Sequence, residues 1–342
     1  MKKFIHGLLK IVISVMIILV LIGIVYSFYL AFKHRVKLGE EEIFLEPIGE
    51  LVEVNGHNLH VYSEGSEDSE YTLIFMHGTG YVDSAITMSP LYDIMAEDYR
   101  IIYVDRSGNG YSEVSGVSRD IDTILEETKA AVDSTGAKGP YILVPQGNAI
   151  IEAMYWADLY PDEVKGIVGI DSGSLESYED YKLDAGEKFS LQIMKFGCSQ
   201  LGLHRKVDSI YTNDEYDLFT EKQEDVMNAL VSAKAYNKDR YNEDVALSTN
   251  AIKVLEKGYP DVEMLIFLAN PLMDPYYSKS KQMQKSYSDY EKYKDEYNKA
   301  RIDFFNEFDN IETKELAGFP ALYIYEPEQM AEDINVFIDD LE

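Results

Sequence analysis

The sequence lacks the residues that several kinds of site and partner require. A single cysteine, Cys198, occurs among 342 residues, which excludes an intrachain disulfide and a zinc site built from cysteines. Lysine and arginine total 31 against 61 aspartates and glutamates, so the formal net charge is -30. Because phosphate groups attract the opposite sign, nucleic acid is not expected as a partner. No H-E-x-x-H pattern or other metal-ligand spacing occurs, so no metal and no other cofactor is predicted.

Charged residues are absent from Ile11 to Phe32, and this run separates the N-terminus from the rest of the chain. Its 22 residues would cover the ~30 Å hydrocarbon core of a bilayer at ~1.5 Å per helical residue. Lys10 precedes the run, and Lys33 and Arg35 follow it. The alternative is a cleaved signal peptide, whose apolar region is usually ~7–15 residues and ends in small residues. We therefore predict a retained single-pass anchor in the cell membrane, with the lipid bilayer as a partner.

The basic residues around this run do not determine its orientation. Three lysines precede it, and three lysines or arginines follow it closely. An N-terminal anchor with a long trailing domain most simply leaves that domain outside the cytoplasm, so we expect an extracytoplasmic domain. Because every acidic residue follows the run, we also expect an anionic leaflet to repel the domain.

Strand-like and helix-like segments alternate in the part after the anchor. Asn55-Gly56 joins two alternating runs and predicts a hairpin. Apolar runs typical of strands buried on both faces lie at Tyr71–Met76, Arg100–Val104, Tyr141–Val144, Val164–Ile170 and Glu263–Leu268. Helical patterns lie between the first four of them, at Ser89–Asp98, Arg119–Thr135 and Ala149–Tyr160. This alternation predicts βαβ units and a parallel sheet.

These patterns divide the chain into six segments. They are a basic tail (1–10), a transmembrane helix (11–32), a linker (33–50), the first part of a core (51–174), a helical cap (175–258) and the second part of the core (259–342). Two more helices are predicted in the last segment. One spans Met283 to Phe308, where Tyr287, Tyr290, Tyr297, Phe304 and Phe308 recur at helical spacing. The other is Ala331–Leu341.

Three segments resemble loops of the α/β-hydrolase superfamily. His77-Gly78-Thr79-Gly80 is similar to its HG loop, and Tyr103–Ser112 (YVDRSGNGYS) to its D-x-x-G-x-G-x-S loop. Tyr141–Ala149 (YILVPQGNA) and the helix after it resemble the nucleophile elbow, most closely in membrane-anchored bacterial members. The resemblance implies an α/β fold, the α/β-hydrolase fold. It would have a mostly parallel sheet flanked by helices and a helical cap insertion, preceded here by one transmembrane helix.

The catalytic positions that the resemblance implies hold unsuitable residues. Gly147 stands at the nucleophile position and has no side chain that could attack a substrate, and Gln146 precedes it where histidine is frequent. In this superfamily the acid would follow the predicted strand Glu263–Leu268, and the base would lie in the last loop before the final helix.

The base position falls at Phe319 or Pro320, and no histidine follows His204. We interpret His204 as a surface or packing residue of the cap. The acid position falls near Asn270, with Asp274 four residues later. The triad is therefore predicted to be degenerate.

The resemblance still implies a pocket frame that lacks a catalyst. Its oxyanion-hole donors would be the backbone amides of Gly78, Thr79, Gly80 and Asn148. Further pocket candidates are Gln146, Asp105 and Glu152. Such amides can bind a carbonyl or carboxylate group without cleaving it.

Three functions are compatible with these observations. The first is a membrane-anchored pseudohydrolase that binds a small molecule or a protein, or serves as a scaffold. The second is an active hydrolase of esters or peptides with rearranged catalytic residues. The third is a structural or assembly partner whose cavity is vestigial. The sequence favours the first because both nucleophile and base are missing.

Overall fold

The N-terminal helix α1 is the longest element of the structure. The structure is a computed structural model that describes residues 2–206, 219–270 and 298–341. α1 runs without interruption over Lys2–Glu41 and contains the uncharged run, and it is long and apolar enough to cross a membrane. A 3₁₀ turn at Glu42–Phe44 follows it. Residues 2–10 of the predicted tail and 33–41 of the predicted linker are therefore helical, since both are parts of α1.

Eight strands form one mostly parallel sheet. They are β1 (Glu50–Val54), β2 (His57–Glu64), β3 (Thr72–Met76), β4 (Arg100–Val104), β5 (Tyr141–Pro145), β6 (Val164–Ile170), β7 (Glu263–Asn270) and β8 (Ile311–Ala317). Their order is β1-β2-β4-β3-β5-β6-β7-β8, and only the β1–β2 and β2–β4 pairs are antiparallel. Asn55 and Gly56 both have positive φ, as the tight turn of the β1–β2 hairpin requires. The predicted α/β-hydrolase fold class is confirmed.

Helices cover both faces of the sheet. α4 (Ile121–Ser134) and α5 (Ile150–Leu159) pack on one face, and α3 (Ser89–Met95) and the C-terminal helix Pro327–Asp339 pack on the other. Short helices lie at α2 (Ser84–Thr87) and Leu322–Tyr325. The C-terminal helix begins before the predicted Ala331 because Pro327 occupies its first turn, where no amide donor is needed.

The cap lies between β6 and β7. Its described helices are α6 (Leu175–Glu179), α7 (Ala185–Leu201), α8 (Glu221–Ala233) and α9 (Lys238–Leu255), with a 3₁₀ turn at Leu203–Lys206. Of the predicted helix from Met283 to Phe308, residues 298–305 are helical, and Phe304 and Phe308 pack against Tyr259. Tyr287, Tyr290 and Tyr297 lie outside the described residues.

The end of α1 is fixed to the cap. Arg205 donates two hydrogen bonds to the Glu41 carboxylate, at 2.7 and 2.6 Å, and its Nε lies 3.0 Å from Nδ1 of His34. His34 is buried against Gly202, where a Cβ atom would lie 2.7 Å from the imidazole ring. Gly202 also has a φ of +63°, so this contact requires glycine on two grounds. The C-terminal end of α1 and the cap therefore form a continuous unit.

Candidate functional site

The elbow turn lies between β5 and α5, at the position that would carry a nucleophile. Gly147 has a φ of +59° and begins a 3₁₀ turn, Gly147–Ala149, that leads into α5. A Cβ atom at Gly147 would have no other atom within 4 Å. The turn thus keeps the left-handed backbone of a strained elbow and open space above it, but it presents no reactive side chain.

We expect Gly147→Ser to lower the free energy of unfolding by about 1 kcal/mol. A left-handed conformation costs an L-residue about 1–2 kcal/mol, and the loss of glycine's chain entropy offsets about 0.5–1 kcal/mol of that. Denaturant unfolding of the full chain in detergent micelles, followed by the fluorescence of the single tryptophan, Trp156, measures the change. Gly136→Ser is the matched control, because Gly136 also has positive φ (+72°) and open space. A serine at 147 that stabilises the chain would contradict the strained elbow.

Two of the four predicted oxyanion-hole amides, those of Gly78 and Thr79, already have acceptors inside the protein. The Thr79 N–H donates to Oδ1 of Asn148 at 2.8 Å, and Nδ2 of Asn148 donates to the Thr79 hydroxyl at 3.0 Å. The Gly78 N–H donates to Oε1 of Gln146 at 3.3 Å. These two amides are thus bonded inside the protein, because the elbow carries two side-chain amides long enough to reach them, and their role as oxyanion-hole donors stays a prediction.

Glycine is required at position 78 by the close approach of the elbow. A Cβ atom on Gly78 would lie 2.5 Å from Oδ1 of Asn148 and 2.9 Å from the carbonyl oxygen of Gln146. Gly80 has a φ of +101°, and a Cβ atom there would lie 3.3 Å from Nη2 of Arg240 in the cap. The HG loop is thus enclosed between the elbow and the cap.

A buried ion pair lies beside the elbow. Nη2 of Arg106 donates to Oε2 of Glu152 at 2.5 Å, and both side chains are buried. The Arg106 N–H donates to Nε2 of His77, whose Nδ1 lies 3.0 Å from the Gly78 carbonyl oxygen. Burial lowers the pKa of His77 to about 4, so the ring is neutral and donates through Nδ1. His77 therefore holds the loop rather than transferring protons.

The cap contributes a second buried carboxyl group to this place. Oε2 of Glu243, on α9, accepts the hydroxyl hydrogen bond of Thr79 at 3.0 Å. Burial raises the pKa of Glu243, although the charges of Arg106 and Arg119 act in the opposite direction. Among the described residues, the Oε1 atoms of Glu152 and Glu243 have no hydrogen-bond partner. Two carboxyl groups and one guanidinium group thus meet below the cap.

These groups line a cavity of about 20 Å³. Its polar lining residues are Thr79, Arg106, Asn148, Glu152, Glu243 and Asn250. A water molecule needs roughly 10–15 Å³ by this measure, whereas pockets for small organic ligands typically measure about 300–1,000 Å³. This cavity, which lies beside Asn148 and is not lined by Gly147, therefore has room for about one water molecule.

Asp105, predicted as a pocket residue, is instead a structural residue. It is fully buried and accepts hydrogen bonds from the Tyr103 hydroxyl (2.9 Å) and the Tyr111 N–H (3.0 Å), while its Oδ2 lies 2.8 Å from Nδ1 of His60. Burial alone would raise the pKa of Asp105, but the hydrogen bond to His60 leads the effects that bring it below its usual value. Asp105 does not line the cavity, because its carboxylate is enclosed by its own loop.

The remaining predicted positions lie apart from this cavity. Asn270, at the predicted acid position, is the last residue of β7, and its Nδ2 lies 3.4 Å from Oε1 of Glu315. Phe319, at the predicted base position, is buried, and the centre of its ring lies 5.6 Å from that of the Tyr325 ring. His204 packs edge-on against His34 at the end of α1, and burial lowers its pKa to about 4. Asp274 lies outside the described residues.

The cap residues that complete the site were not predicted from the sequence. Asp239 and Glu243 are four positions apart on α9 and therefore share one helix face. Asp239 is fully buried and accepts hydrogen bonds from the Ser107 hydroxyl (2.8 Å) and the amides of Ser115 (2.8 Å) and Gly116 (2.7 Å). The signal available was this i, i+4 acidic pair, which closes the cap onto the D-x-x-G-x-G-x-S loop.

Comparison with known proteins agrees with this architecture. No protein-family model matches the chain. The uncharacterized protein YbdG of Bacillus subtilis (strain 168) is 33% identical over 332 residues, which cover 96% of each chain. A loop variant of the haloalkane dehalogenase DbeA from Bradyrhizobium elkanii superposes with a TM-score of 0.57 at 15% identity, covering 85% of this chain and 96% of that one.

A carboxylesterase structure from Nitrososphaera gargenis gives a TM-score of 0.55 at 15% identity, with coverage of 85% and 98%. Identities this low relate the folds and not the activities. The near-complete alignment at 33% identity shows that the chain belongs to the family of YbdG, and the superposed structures show that it has the α/β-hydrolase fold.

Proposed function

We propose that the chain is a membrane-anchored pseudohydrolase, a hydrolase-fold protein that serves a binding or scaffolding role without turnover. The observation that carries the proposal is Gly147, which occupies the left-handed elbow position with open space above it and no nucleophile. A second requirement, the base, has no histidine to supply it after His204. Removal of both groups leaves at most weak rate enhancement from binding.

The occupied amides of the HG loop support a scaffolding role over a small-molecule role. The Gly78 and Thr79 amides already have acceptors inside the protein, at Gln146 and Asn148. A protein that presents surfaces at a membrane needs no substrate pocket. The uncharged run within α1 supports the anchor, and we retain the expectation that the domain is extracytoplasmic.

We expect no serine-hydrolase activity from the purified full chain. A fluorophosphonate probe should leave it unlabelled, and activated esters should be hydrolysed no faster than by Gly147→Ala, because neither variant carries a nucleophile. Gly147→Ser alone should remain inert, since a serine requires a nearby base to take its proton. The double variant Gly147→Ser/Phe319→His tests whether hydrolysis appears when a serine nucleophile and a histidine base are both restored. Probe labelling of the wild-type chain would overturn the proposal.

One observation favours the alternative of a hydrolase with rearranged residues. Glu243 is a buried carboxyl group with a raised pKa beside Glu152, which is the arrangement that a relocated acid or base would need. If wild-type chain hydrolyses esters and Glu243→Gln abolishes that rate while Asp244→Asn retains it, the alternative is correct. Equal rates of ester hydrolysis in the wild-type chain, Glu243→Gln and Asp244→Asn contradict this alternative.

A further inference from the structure

The cap helix α7 exposes an apolar face. Phe189, Ile193 and Phe196 lie at i, i+4 and i+7, and they are 66%, 58% and 57% exposed. Met194 beside them is 41% exposed. An amphipathic helix of a soluble domain turns such residues toward the core, but here they point away from it. A contiguous exposed patch of this kind marks a contact surface.

The position of α7 relative to α1 identifies what the face contacts. α1 packs against α7 and α8, and its less exposed residues form one stripe. The stripe consists of Ser27, Leu30, Ala31, His34 and Leu38. Its first three members lie inside the uncharged run that ends at Phe32. The contact between anchor and cap therefore begins within the segment assigned to the bilayer.

This overlap fixes the height of the cap above the membrane. From Ser27 to Phe32 the helix rises only ~8 Å at ~1.5 Å per residue. If the run crosses the hydrocarbon core, the elements packed beside Ser27–Ala31 lie at the level of the lipid headgroups. We infer that the apolar face of α7 docks on the bilayer that α1 crosses, inserting Phe189, Ile193 and Phe196 into its interface. This inference rests on the proposed membrane anchor.

Charge also distinguishes α7 from the rest of the domain. α7 carries two lysines and one glutamate, whereas the whole chain carries 31 basic and 61 acidic residues. The adjoining end of α1 adds Lys33, Arg35 and Lys37. The repulsion expected between an acidic domain and an anionic leaflet is thus reduced at this face, and interfacial helices combine aromatic residues with lysine in the same way.

Site-specific fluorescence in lipid nanodiscs tests the inference. In a Cys198→Ala background, an environment-sensitive fluorophore is attached to Ile193→Cys and, as the matched control, to Val336→Cys. Ile193 and Val336 are both aliphatic and both 58% exposed, but Val336 lies on the C-terminal helix. A third probe at Val20→Cys reports the anchor itself. Lipids with a nitroxide near the headgroup or near the acyl end act as quenchers, and Trp156 fluorescence checks folding.

We expect headgroup-level nitroxide to quench the Ile193 probe several-fold more than the Val336 probe. The Val20 probe should be quenched most by the acyl-end nitroxide. Equal quenching at Ile193 and Val336 with normal quenching at Val20 would overturn the docking inference and leave the anchor intact. Absence of quenching at Val20 would overturn the anchor. A signal at Ile193 that appears only when two copies share a nanodisc would assign the face to a second copy and also overturn the inference.

Discussion

Arg106→Met is expected to lower the free energy of unfolding by about 3–5 kcal/mol, the usual cost of leaving one member of a buried ion pair without its partner. The Glu152 carboxylate would lose its 2.5 Å hydrogen bond from Arg106 while remaining almost inaccessible to water. Its other oxygen has no partner among the described residues. Denaturant unfolding of the full chain, followed by Trp156 fluorescence, measures the loss.

The double variant Arg106→Met/Glu152→Leu is the control for this experiment. It removes both charges and fills similar volume, and replacements of that kind are often close to neutral. We therefore expect it to recover most of the stability lost in the single variant. A double variant as unstable as Arg106→Met would mean that the loss arises from packing of the Arg106 side chain and not from the uncompensated carboxylate.

The pH dependence of this loss has a defined sign. Arg106 opposes the effect of burial on the pKa of Glu243, so its removal should raise that pKa further. A carboxyl group whose pKa is higher in the folded than in the unfolded state binds more protons when folded. The contribution of such a group to the free energy of unfolding is complete at pH values below its pKa in the unfolded state. It is lost as the pH rises through the group's pKa in the folded state. The loss in Arg106→Met should therefore shrink at acidic pH.

Gly110→Ala is expected to lower the free energy of unfolding by about 2–5 kcal/mol. The residue has a φ of +48°, where a side chain costs about 1–2 kcal/mol, and overpacking adds about 1–3 kcal/mol. The overpacking is severe because a Cβ atom there would lie 2.0 Å from Oδ2 of Asp105. That carboxylate is held by His60 and the Tyr111 amide and has little freedom to move.

Gly136→Ala isolates the contribution of the contact with Asp105. Gly136 has a φ of +72°, and a Cβ atom there would have no neighbour within 4 Å, so it should show the backbone cost alone. The same unfolding experiment compares the two alanine variants. Equal losses at both positions would show that the Asp105 loop can relax around a methyl group.

Most of the sheet could be predicted from local sequence because its buried strands are continuous apolar runs and its hairpin turn is Asn55-Gly56, whereas the half-buried edge strand β8 (IETKELA) could not. The network at the elbow could not, since its members approach one another only in the folded chain. Thr79 and Glu243 are 164 positions apart, and Arg106 and Glu152 are 46 apart. Charged residues on helices usually indicate a solvated face, so composition gave no reason to place Glu243 in the interior.

The C-terminal end of α1 is a second feature that local sequence could not predict. Lys33–Glu41 reads as a charged linker, but the ion pair between Glu41 and Arg205 and the burial of His34 keep it helical. Helical stability of such a segment comes from tertiary packing rather than from residue propensity. The elbow glycine is the opposite case, because the motif alone placed Gly147 and the backbone there is left-handed as the motif requires.

The unbroken helix from Lys2 to Glu41 gives the molecule a mechanical property. A helix of 40 residues measures about 60 Å, and its far end is fastened to the cap through Arg205. Asp239 in turn joins the cap to the loop that follows β4. Because of these two connections, any tilt of α1 also tilts the domain. Transmembrane helices tilt to match the thickness of their bilayer. In the proposed membrane-anchored state, α1 would therefore act as a lever, and membrane thickness would set the angle between the domain and the bilayer.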